Sequence, residues 1–138
     1  MAQVKIYGLR AKLTPIKGVL SDVIHACAVQ ALDLPIEKRF HRFFPLEAED
    51  FVYPADRSAA YTIIEVNLMA GRSIAARKRL VRLLFEGIHA GLDIAPQDVE
   101  ITLIEEPPCN WGFRGLHGDE AKLPYKVADQ GQGVIHYG

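Results

Sequence analysis

Arg72 stands between Gly71 and Ser73, where a run of β-branched residues gives way to a helical pattern. A guanidinium at such a turn can face a pocket, although the position also suits a solvated or structural arginine. Gly71-Arg72-Ser73 is too short to cradle a phosphate. The histidines His25, His41, His89, His117 and His136 show no metal-ligand spacing, and His25 reads as a satisfied histidine near a buried helix face. Glu105 and Glu106 are adjacent on a strand, so they point to opposite faces and do not share a proton. Cys27 and Cys109 are too few and too isolated for a disulfide framework or a thiolate metal site. No nucleotide, metal or other cofactor is expected.

The bulk composition narrows the class. At 138 residues, 49% hydrophobic and 24% charged, the chain is the size of one globular domain. Sixteen basic and 17 acidic side chains leave a formal charge of -1. The densest basic cluster, Arg77-Lys78-Arg79 with Arg82, falls on a helix face and reads as solvated surface rather than a nucleic-acid contact. No run has the length of a membrane span and no signal-peptide pattern opens the chain, so a reducing, cytoplasmic setting is expected.

Two similar segments would position these residues. Val4 to Leu9 alternates as a strand, and Thr14-Pro15 reads as an N-cap with proline in the first helical turn. A helix with Ile16, Val19, Leu20, Val23, Ile24, Cys27 and Ala28 on its apolar face follows, closed by Leu34-Pro35. Arg39 to Leu46 is a second strand, kept at an edge by Pro45. Tyr61 to Met69 repeats the first strand, and Ser73 caps a helix carrying Leu80, Leu83, Leu84, Ile88 and Leu92. Val99 to Ile104 then repeats the second strand. Leu20 matches Leu80 and Ile24 matches Leu84, which signals an internal duplication.

The expected fold is one α/β domain over 1–138, made of β-α-β halves at about 1–46 and 61–106. A loop, Glu47 to Ala60, joins the halves, and a tail over 107–138 holds a possible short strand at Leu123 to Val127. Right-handed crossovers give a four-stranded sheet with both helices on one face. Ile63, Ile64, Val66, Leu68, Ile101, Leu103 and Ile104 exceed what one covered face needs, so the bare face is expected to bury itself against copies of the chain in a closed ring. A ferredoxin-like module, in which two such units interleave differently, is the alternative.

The chain resembles the tautomerase superfamily, near malonate semialdehyde decarboxylase. The likeness rests on Asp22-Val23-Ile24-His25, Ala31-Leu32-Asp33-Leu34-Pro35, Arg57-Ser58, Gly71-Arg72-Ser73 with Lys78, Pro96-Gln97-Asp98-Val99 and Asn110-Trp111-Gly112-Phe113. It implies a homotrimer and cofactor-independent acid–base chemistry on small 2-oxo or enol acids by an N-terminal proline. Alignment of the first strand puts Ala2 at that proline. If Met1 is removed, the primary amine of Ala2 would be the base, with Arg72 holding the substrate carboxylate. Arg57 would reach the pocket from its own or a neighbouring subunit, or else form surface ion pairs. Trp111 and Phe113 would line the pocket, though core packing explains them equally. Ala70 replaces a second arginine of the decarboxylase-like members and Lys38 an acidic residue, which argues against decarboxylation. The alternative is a non-catalytic member that binds an anionic metabolite or serves as a scaffold.

Overall fold

The computed structural model describes residues 1–121 and Val127. The chain runs as strand β1 (Ala2–Leu9), a short helical turn α1 (Arg10–Leu13), helix α2 (Lys17–Leu32) and strand β2 (His41–Leu46). Strand β3 (Thr62–Met69), helix α3 (Ile74–Leu92) and strand β4 (Val99–Glu106) repeat that order. A small hairpin, β5 (Gly112–Phe113) and β6 (Leu116–His117), follows. The sheet order is β2-β1-β3-β4, with β1 parallel to β2, β3 parallel to β4, and β1 antiparallel to β3. Pro45 sits on an edge strand, where its missing N–H leaves no sheet partner unpaired. The interior of the expected strand at Leu123 to Val127 lies outside the described residues, as does His136.

One face of the sheet carries the core. Val4, Ile6, Ile64, Val66 and Leu68 are buried beneath Leu20, Ile24 and Leu32 of α2 and Leu80, Leu84 and Ile88 of α3. Each fully buried leucine or isoleucine stabilises the fold by about 1.5–3 kcal/mol relative to exposure. The helices themselves approach closely because α3 has no side chain at two contact positions. A Cβ at Gly87 would lie 3.2 Å from both Cys27 Sγ and Val23 Cγ1, and one at Gly91 would lie 3.2 Å from Val23 Cγ2.

The opposite face differs from the expectation. Ile64, Val66 and Leu68 belong to the helix-covered side, as do the core-packed Ile101 and Leu103, because a strand alternates its side chains strictly. Ile63 and Ile104 remain on the open face, beside Tyr7 stacked on Phe44 at 4.8 Å. Leu9 and Leu46 share this face, and Gln3, Lys5, Arg42, Glu65, Asn67, Glu100 and Thr102 make the rest of it polar. It is a mixed surface rather than an apolar one.

The helix boundaries also move. Thr14 does not open α2: it closes α1, its N–H donating to the Arg10 carbonyl. Thr14–Ile16 is a 3-10 turn between α1 and α2, and no side chain caps α2. Burial of Leu13 draws the chain into a helical turn before Pro15, which then lacks the N–H to continue it. Both long helices end at an aspartate in the left-handed region, Asp33 (φ 55°) and Asp93 (φ 56°), so the first stops ahead of Leu34-Pro35. Ser73 does cap α3, its hydroxyl accepting from the Ala76 N–H at 3.0 Å.

The repeat runs at a constant offset of 60 residues. It relates β1 to β3 throughout, Leu32 to Leu92, Asp33 to Asp93, and the 3-10 turn Ala48–Asp50 to Pro108–Asn110. In the β1–β3 ladder Val4 faces Val66 and Ile6 faces Ile64, while Lys5 faces its own equivalent, Glu65. A local two-fold axis therefore passes between Lys5 and Glu65.

Replacing Gly87 by Leu is expected to force α2 and α3 apart and to cost about 1–3 kcal/mol despite better helix propensity. A lower urea midpoint at unchanged m-value checks it. An unaltered midpoint would show that the helices yield at no cost.

Candidate functional site

The start of β1, the exit of β3 and the end of α2 meet at one edge of the domain. Ala2 opens β1 opposite Leu68 and is 8% exposed. The Met69 N–H donates to the Met1 carbonyl at 3.0 Å, which carries the ladder one residue further toward the chain start. Gly71, at φ 137°, then turns the chain so that Arg72 points inward; its side chain is 5% exposed. Nη1 of Arg72 donates to the Leu32 carbonyl in the last turn of α2. Arg79 Nη1 reaches the Gln30 carbonyl at 3.2 Å, so two arginines satisfy carbonyls that the helix end leaves unpaired.

Trp111 joins the same edge through the backbone. The Glu106 carbonyl accepts the Ala70 N–H at 2.8 Å and the Trp111 indole N–H at 3.3 Å. Gly118 is packed beneath: a Cβ there would lie 2.4 Å from the Pro108 carbonyl oxygen, 2.9 Å from Trp111 Cβ and 3.0 Å from Met69 Cε. Phe113 lies half-buried in β5 with the Arg114 guanidinium 5.3 Å from its ring centroid. The β5–β6 hairpin was not foreseen, although Arg114 (φ 53°) and Gly115 (φ 77°) form the two-residue positive-φ turn that such hairpins favour.

Electrostatics mark the chain start. The Met1 α-amino group is lowered from 8.0 to about 5, first by burial and then by the positive charge of Arg72. An amine so placed is neutral at pH 7 and able to accept a proton.

Arg57 lies elsewhere. It donates to Asp56 at 2.5 Å and to Glu100 at 2.7 Å, with its guanidinium 5.8 Å from the Tyr61 centroid. Glu100 pairs with Ile63 near the start of β3, so within one subunit Arg57 belongs to the opposite end of the sheet from Ala2. Asp98 fixes this loop by accepting from the Ser58 N–H at 2.7 Å and the Ser58 hydroxyl at 2.6 Å. Tyr61 is pushed up to about 12 by burial and by its hydrogen bond to Glu100.

His25, His41 and the two adjacent glutamates are engaged in hydrogen bonds or ion pairs. His25 is 4% exposed and donates from Nε2 to the Ile36 carbonyl at 2.6 Å. His41, hydrogen-bonded to Ser21 at 2.7 Å, is lowered to about 4 by burial, by His25 and by Arg39. Glu105 pairs with Arg77 at 2.8 Å while Glu106 accepts from Asn110 at 2.9 Å, so the two carboxylates diverge. Among the described residues no group of three or more His, Cys, Asp or Glu side chains could hold a metal, and no helix is long and apolar enough to cross a membrane.

Residues 38–114 match the family described as tautomerase enzyme. The chain belongs to the tautomerase family. A probable tautomerase of Ralstonia nicotianae is 31% identical over 62 residues, 45% of this chain and 89% of that protein. A malonate semialdehyde decarboxylase inhibited by 3-bromopropiolate is 26% identical, with a TM-score of 0.72 over 80% of this chain and 88% of its own. A fused 4-OT solved as an asymmetric trimer shares the fold at 21% identity, with a TM-score of 0.76 over 85% of this chain and 96% of its own. The family match includes Arg72, Trp111 and Phe113 and begins after the first strand.

Replacing Arg72 by Met should raise the chain-start amine only part of the way to 8.0, because burial is the larger cause of its depression. Amine reactivity followed against pH by mass spectrometry checks this. A full return to 8.0 would mean that Arg72 alone sets the value. The same variant leaves the Leu32 carbonyl without this donor and should cost about 1–3 kcal/mol of stability.

Proposed function

We propose that the protein is a cofactor-independent tautomerase acting on a small 2-oxo or enol acid, assembled as a homotrimer. The observation that carries this reading is the α-amine at the start of β1, lowered to about 5 beside the buried Arg72. Removal of Met1 would leave the Ala2 amine at this end of the strand. In ketonisation that amine takes the proton of the enol hydroxyl. The electron pair forms the carbonyl, and the ammonium returns a proton to the neighbouring carbon, so no atom is gained or lost. Arg72 favours the neutral amine and supplies the positive charge for the substrate carboxylate. Trp111 and Phe113 keep the site apolar, which sustains the low basicity. Assembly as a trimer is supported by the fused 4-OT relative, solved as one. Arg57 would reach the site only from a neighbouring subunit.

The commitment of Arg72 to the Leu32 carbonyl favours a second reading, a member that binds an anion without turning it over. Ala2 in place of the family proline points the same way.

Base catalysis by this amine fixes the pH profile. Burial and Arg72 hold the Met1 amine below the ordinary 8.0, and the same causes act one residue further on at Ala2, so the active neutral form is present at pH 7 and is lost as pH falls. Ketonisation of phenylenolpyruvate by the purified protein should therefore show kcat/KM that rises with pH below the ordinary amine value of 8.0 and is level by then. Blocking the N-terminal amine should abolish it, and Ala2→Pro should increase it. Turnover no faster than the buffer reaction, with binding that still requires Arg72, would establish the second reading instead.

A further inference from the structure

The two-fold axis between Lys5 and Glu65 gives the edge just described a counterpart at the other end of the sheet. There the start of β3, the exit of β1 and the end of α3 converge around a cavity of about 200 Å³. The repeat offset sets Thr62 where the first edge has Ala2, Lys12 where it has Arg72, and Leu92-Asp93-Ile94 where it has Leu32-Asp33-Leu34. All of these counterparts line the cavity. The aromatic pair is duplicated too: Phe51 and Tyr53, the equivalents of Trp111 and Phe113, pack behind the cavity-lining Tyr61 at 5.5 and 5.0 Å.

We infer that this cavity is a second ligand site, which binds a small monocarboxylate with an apolar body of about the size of a benzene ring. Leu13, Ile16, Ala60 and Ile94 supply an apolar floor. A cavity of about 150 Å³ suffices for benzene, so the volume fits a single ring with its carboxylate toward the mouth. Among the described residues Lys12 has no ion-pair partner, and it is an exposed residue of the cavity lining, from which its ammonium can reach the mouth. Asp93, exposed at the same rim, opposes a second negative charge and restricts the ligand to a monoanion. The site binds without reacting. Thr62 is held inside the chain by a peptide bond to Tyr61 and has no free amine, so the base of the first edge has no equivalent here. The inference rests on the repeat and the cavity and does not require turnover at the first edge.

Titration of the full-length protein with benzoate, followed by amide NMR, tests it. Saturable shifts are expected at Gly8, Thr62 and Ile94, with benzamide binding more weakly. Lys12→Met should weaken benzoate by about tenfold, the loss of one exposed charge pair with its hydrogen bond. Ala60→Leu should abolish binding by filling the cavity, and Arg72→Met should leave these shifts unchanged. Shifts confined to Met69, Arg72 and Trp111, or no saturation at millimolar benzoate, would overturn the second site. Binding lost in Ala60→Leu but unchanged in Lys12→Met would overturn its assignment to a carboxylate.

Discussion

Lys5 lies opposite Glu65 in the β1–β3 ladder, with Nζ and Oε1 3.9 Å apart, and each residue is the repeat equivalent of the other. The half-exposed ion pair itself contributes little energy. The register it marks governs the rest of the molecule. A slip of one residue would turn Val4, Ile6, Ile64 and Val66 away from the helices and expose the core. With the register set, the exit of each half is brought against the start of the other. Arg72 can meet the end of α2, which lies 40 residues earlier in the chain, only because β1 and β3 run in opposite directions.

The strands and long helices were legible because they obey simple periods. Alternation in VKIYGL and the spacing of Leu80, Leu84 and Ile88 each describe one buried face, and the faces proved to be buried. Less visible was which apolar residues share a face. Tyr61 to Met69 is apolar on both sides, so only pairing with β1 and β4 separates Ile63 from Ile64 and Val66. The helix starts and stops were misplaced where backbone geometry overrode the usual residue signals. Pro15 interrupts a helix that had already begun, and Asp33 and Asp93 take a conformation more often left to glycine.

The site was legible as residue types and hidden as geometry. Arg72, Ala2 and Trp111 stood out in the sequence, but main-chain carbonyls connect two of them. Leu32 holds Arg72, and Glu106 gathers Ala70 and Trp111. No side-chain pattern encodes those acceptors. Arg57 shows the opposite case, since its loop motif placed it among the site residues while Asp56 and Glu100 bind it at the far end of the sheet.

The shared Glu106 carbonyl also has an optical side. Trp111 is the single tryptophan of the chain, and its indole is held to the strand end that adjoins the chain start. Its emission wavelength depends on the water and charge around that ring. The fold thus carries its own fluorophore at the edge where the amine and Arg72 meet. Hydration and occupancy there can be read in the intact protein without attaching a dye.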